Sequence, residues 1–139
     1  MTTYLDIIPL ELAKKFLRID SNDFDDQIEL LIESSCKTFE MKTEHFLAQR
    51  VKNAYQGNRY YWFPINVEED IEVKGLYFIA QKDLQIVVGY ENPDDVPQDI
   101  KDAILKMVQG KFLAEEKNEF YTASDEVGTT INLYKRFWL

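Results

Sequence analysis

The chain has 139 residues, 45% of them hydrophobic, and a formal net charge of −9. That length fits one domain (residues 1–139) able to bury a core without disulfide or metal staples, and the composition is globular rather than disordered. The acidic balance argues against a surface that coats phosphates, because nucleic-acid affinity rests on Lys and Arg. Cys36 is the single cysteine, so no intramolecular disulfide can form and a reducing compartment is expected. The opening MTTYLDIIPLEL lacks the basic and apolar runs of a signal peptide. No apolar stretch approaches the ~20 residues of a membrane helix. The expectation is a soluble cytoplasmic protein with no membrane contact.

A short helix is predicted over about 10–18, with Pro9 at its start and Leu12, Phe16 and Ile19 turned inward. Asp20-Ser21-Asn22-Asp23 then forms a turn-and-cap cluster. A long helix follows over about 23–45, with Asp23 as its cap and Asp25 and Asp26 in the first turn, where the dipole favours negative charge. Its apolar stripe is Phe24, Ile28, Leu31, Ile32, Ser35 and Phe39, a 3.6-residue period that leaves Glu29, Glu33, Lys37 and Glu40 outside.

Between about 50 and 91 the character changes. Gly57, Pro64, Gly75 and Gly89 punctuate a segment dense in β-branched and aromatic residues. Gly57-Asn58 signals one hairpin, and Ile71–Ala80 with Leu84–Tyr90 a second, so four strands are expected. A second long helix is predicted over about 97–118, opened by Pro97, with Ile100, Ala103, Ile104, Met107, Val108 and then Lys111 or Phe112 facing inward. Gly110 inside it implies a close crossing or a weak spot. A C-terminal arm over about 120–139 ends in Phe137-Trp138-Leu139 beside Lys135-Arg136. The expected fold is α+β, mainly α: a helical bundle of one short and two long helices, with a small antiparallel β region inserted between the long ones.

No catalytic constellation stands out. Asp20, Asp23, Asp25 and Asp26 fail the calcium-loop pattern, since Phe24 falls where an oxygen ligand belongs. His45 is the only histidine, and its spacing from Cys36 matches neither a metal site nor a nucleophile pair. Phosphate-loop, dinucleotide, nucleophile-elbow and zincin motifs are absent. No catalytic residue, metal or cofactor is therefore expected. Arg59 followed by Tyr60, Tyr61, Trp62 and Phe63 could be a base-stacking platform. The acid run Glu68-Glu69-Asp70 opposes that and favours part core, part protein interface. A free tail seldom carries three large apolar residues, so Phe137, Trp138 and Leu139 either fold back on the core or dock on a neighbour; on the second reading they join Tyr60–Phe63 as interface candidates.

Two ordered segments carry a resemblance. Phe16-Leu17-Arg18-Ile19-Asp20 precedes a long helix with Asp25, Asp26, Ile28, Leu31, Ile32, Ser34, Ser35 and Glu40; later come Val87-Val88-Gly89-Tyr90 and Val96-Pro97-Gln98-Asp99-Ile100-Lys101-Asp102-Ala103-Ile104-Leu105. In this order they resemble the head–tail connector proteins (head-completion adaptors) of tailed bacteriophages. The chain departs from that pattern at Glu44, where the family often has Gly, and at Glu115-Glu116-Lys117, where it often has Arg. The resemblance implies a non-enzymatic protein of phage or prophage origin, whose copies form a ring under the portal. The ring extends the DNA channel and receives the next neck or tail-completion protein. Its implied partners are itself, the portal and that neck protein, with DNA only passing through. Its implied location is the host cytoplasm during assembly and then the virion neck. Two other classes compete: an acidic protein-binding module such as an inhibitor or DNA mimic, and a small enzyme with an unrecognised site. Concentration-dependent ring formation separates the connector from both.

Overall fold

A computed structural model describes residues 2–53, 55–56, 59–60 and 85–135, with backbone alone for the strand residues within 51–88. Among the described residues there are five α-helices: α1 (Tyr4–Ile7), α2 (Leu10–Leu17), α3 (Asp25–Thr43), α4 (Gln98–Glu116) and α5 (Asp125–Tyr134). Their ends have local causes. Thr3 and Asp6 form a reciprocal capping box on α1. Pro9 and Pro97 precede α2 and α4, where a missing N–H costs nothing. Arg18 and Glu44 end α2 and α3 in the left-handed conformation, at φ 59° and 58°. The Ser124 hydroxyl caps α5 by accepting from Val127 N–H.

The core lies between α3 and α4, which run antiparallel: Gln27 meets Glu115 at one end, and Lys111 meets Ser34 a turn or two further in. Ile28, Leu31, Ile32, Cys36 and Phe39 of α3 pack with Ile100, Ile104, Leu105, Met107, Val108 and Phe112 of α4. Helix α5 lays Val127 and Ile131 on the same core, and Ile7, Ile8 and Ala13 close it from the N-terminal side. At roughly 25 cal/mol per Å² of apolar surface, this burial is the main term opposing chain entropy.

Several inward assignments change. Leu12 and Phe16 are 38% and 36% exposed, and α2 instead buries Ala13 and Lys14. Lys14 can lie inside because its ammonium reaches Asn22 Oδ1 at 2.8 Å and Asp25 Oδ1 at 2.9 Å, while its stem packs as hydrocarbon. That pairing also joins α2 to the first turn of α3. Phe24, rather than Asp23, occupies the cap position of α3 and is 37% exposed. The rest of that stripe is buried, as are the predicted positions of α4. The C-terminal arm is helical over Asp125–Tyr134 and belongs to the core.

The α+β assignment is corrected to mainly α. An antiparallel β region inserted as a part of the fold is not supported; what the described residues hold in extended form is slight. Strand β1 (Arg50–Asn53) runs antiparallel to β4 (Gln85–Val88), and β2 (Tyr55–Gln56) to β3 (Arg59–Tyr60). These are two separate two-stranded ladders, and β4 pairs with β1 across the whole segment. The other half of the expected second hairpin, 71–80, lies outside the described residues. Every described core side chain comes from a helix or the loops around it. β-branched and aromatic density reads as strand, but such composition fits any half-buried pleated surface and fixes neither length nor pairing.

Candidate functional site

The densest polar arrangement among the described residues centres on Glu40, on the inner face of α3. The carboxylate is 4% exposed. Its Oε2 accepts from Leu47 N–H at 2.6 Å and Ala48 N–H at 3.3 Å. Its Oε1 accepts from the Tyr4 hydroxyl and from Arg50 Nη2 at 2.9 Å. Arg50 Nη1 donates to Tyr4 Oη at 3.1 Å, and the guanidinium lies 5.1 Å from the Phe46 ring centroid. One carboxylate thereby fastens α1, the end of α3, the 44–49 loop and the start of β1. A buried ion is tolerated only when its lone pairs are filled, and here four donors fill them.

Beside it stands an aromatic group. His45, just past the end of α3, is 1% exposed. Its ring centroid is 5.3 Å from that of Tyr134, 5.6 Å from Tyr90 and 6.5 Å from Phe39. His45 Nε2 and Tyr90 Oη are 2.7 Å apart. Tyr134 Oη donates toward both Asp99 carboxylate oxygens, at 2.8 and 2.9 Å, and so ties the end of α5 to the first turn of α4. Hydroxyl, imidazole and carboxylate are all engaged in holding elements together. This reads as architecture rather than a reacting centre.

Burial, with the Glu40 carboxylate as acceptor, pushes the Tyr4 hydroxyl up to about 12. Burial and Asp99 do the same for Tyr134. Burial raises the Cys36 thiol as well, which keeps it protonated and poorly nucleophilic. For Tyr4 the folded value lies above the unfolded one, near 10. Its contribution is therefore fully present below about pH 10 and lost as pH rises through about 12. The melting-temperature gap between the parent protein and Tyr4→Phe should be constant up to about pH 10 and shrink above it. A gap that stays level to pH 12 would show that Tyr4 does not hold its proton against the glutamate.

Of the interface candidates, Tyr60 is placed in β3 opposite Tyr55, and its side chain is not described. Tyr61, Trp62, Phe63, Phe137, Trp138 and Leu139 lie outside the described residues. The Tyr4–Glu40–Arg50 arrangement is not among the sequence expectations, because the apolar period leaves Glu40 off the stripe. The spacing Ile32, Cys36, Glu40 places it one turn from a buried cysteine, and that signal could have found it. Among the described residues no group of three His, Cys, Asp or Glu side chains converges to hold a metal ion. Nor is any helix there long and apolar enough to cross a membrane. The family model described as "Phage gp6-like head-tail connector protein" matches residues 7–135, from the end of α1 to the residue after α5. No curated protein and no solved structure matches the chain.

Proposed function

The chain belongs to the phage gp6-like head–tail connector family, a structural family, and from that membership we propose that it assembles as a ring beneath the portal. The ring extends the DNA channel and presents a platform to the next neck or tail-completion protein, in the virion neck. The observation that carries this reading is the extent of the family match, 7–135, which takes in α2–α5 and both ladders. Charge supports it. A net −9 gives a wall that DNA can pass without being gripped, since like charges repel and few bases neutralise phosphates. The contacts to other subunits draw on Tyr60, Tyr61, Trp62 and Phe63 and on Phe137, Trp138 and Leu139, large apolar residues that lie outside the helical stripes of the sequence. Electron microscopy of the purified protein at high concentration, alone and with a portal, tests the proposal. Closed rings with a central opening, or density under the portal, are expected. A protein that stays monomeric at every concentration and ignores the portal would sink it.

A further inference from the structure

An apolar seat with an acidic rim sits at one end of the bundle. Phe24 is 37% exposed, and its ring meets that of buried Phe112 edge-on, centroids 5.5 Å apart. Asp23 precedes Phe24 and Asp26 follows it by two residues, Gln27 donates to Glu115, and Glu116 lies one turn beyond Phe112. All four carboxylate residues are exposed, while the nearby Lys14 is committed to Asp25 and Asn22.

The C-terminal segment carries the complement: Lys135-Arg136, two bases, then Phe137-Trp138, two aromatics. The helix that precedes it, α5, ends at the other end of the bundle. Helix α5 runs antiparallel to α4, with Glu126 at Lys106 and Tyr134 at Asp99, so α5 ends at the Asp99 end of α4, away from the Phe24–Phe112 seat. About 20 Å of α4 separates Asp99 from Phe112 at 1.5 Å per residue. From Lys135 to Trp138 the chain spans at most ~11 Å, even fully extended. That reach is too short to bring Trp138 to its own seat.

We infer that Arg136-Phe137-Trp138 of one copy docks on the Phe24–Phe112 seat of the next, with Lys135 and Arg136 against Asp23, Asp26 and Glu116. Donor and seat are different surfaces, so the contact is heterologous, the kind that closes rings. The inference rests on the ring reading and names its contact.

The test uses the full chain with the photo-crosslinker p-benzoylphenylalanine in place of Trp138, assembled from an equal mixture of unlabelled and heavy-isotope-labelled copies. Adducts between copies, landing on Phe24, Phe112 or Glu116, are the expected result. Adducts elsewhere in an intact ring, within one copy, or on an added portal protein would overturn the contact and leave the ring standing. Absence of assembly by the unaltered chain would overturn both. A charge exchange supplies a second reading: Arg136→Glu should raise the concentration needed for assembly several-fold, and adding Glu116→Lys should restore much of it. Equal assembly by parent and Arg136→Glu, or no recovery in the double variant, would count against the pairing.

Discussion

Glu40→Ala should lower folding stability by about 3–5 kcal/mol, the range for removing one partner of a buried, hydrogen-bonded ion pair. The loss does not measure how good the pair is. It comes from what remains: a guanidinium, a phenol and two backbone N–H groups facing a hole, each needing a partner that water cannot readily reach. Glu40→Gln keeps the shape but turns one acceptor oxygen into a donor. Both oxygens of Glu40 accept from two donors, so either orientation of the amide sets N–H against N–H. Glutamine should therefore rescue only part of the loss. Arg50→Ala should be milder, because the Arg50 side chain is 33% exposed and its removal leaves Glu40 with three of its donors. Urea unfolding of the three variants, extrapolated linearly, gives the order. A loss under 1 kcal/mol for Glu40→Ala would mean that water already fills the site.

What the sequence made legible follows from where local signals are strong. Helices α3 and α4 carry long stripes, and proline or an acidic first turn marks their starts, so their cores were readable. Helix α1 is four residues long, too short for any period to register. Helix α5 lies in the C-terminal arm and shows no stripe in the sequence, because its buried residues are only Val127 and Ile131, with Gly128 and two threonines between them. The polar stretch before it is its cap, Ser124, and acidic first turn, Asp125 and Glu126. The burial of Lys14 and Glu40 is not legible in the sequence for one reason: charge reads as outside, and only tertiary partners make an inside place tolerable. The aromatic segment Tyr60–Phe63 and the tail Phe137–Leu139 rest on sequence alone. The interface role proposed for them is argued from composition and charge.

Gly89→Ala should be as damaging as any single methyl group can be here, with a loss of about 3–5 kcal/mol from backbone strain and displaced packing together. Gly89 has φ +99°, a conformation that L side chains rarely adopt. A Cβ there would fall 2.3 Å from the Ala48 carbonyl oxygen and 2.7 Å from Gln49 N. Those are backbone atoms that no rotamer change can move. They belong to the loop whose Leu47 and Ala48 N–H groups bind Glu40, and whose Leu47 carbonyl accepts from Tyr90 N–H at 3.1 Å. Pushing that loop away strains the glutamate network and the start of β1 together. Two other glycines serve as controls on the same chain. At Gly110 a Cβ would meet the Tyr121 ring at 2.6 Å. A side chain can yield, so Gly110→Ala should offset much of that displacement with about 1 kcal/mol of helix propensity. At Gly128, inside α5, nothing lies within 4 Å, and alanine should stabilise by about 0.5–1 kcal/mol. Thermal or urea unfolding of the three variants should rank Gly128→Ala above the parent, Gly110→Ala near it and Gly89→Ala far below. A Gly89→Ala protein as stable as the parent would mean that the 47–49 loop is not held against residue 89 as described. The joint between the helices and β1 would then lie elsewhere.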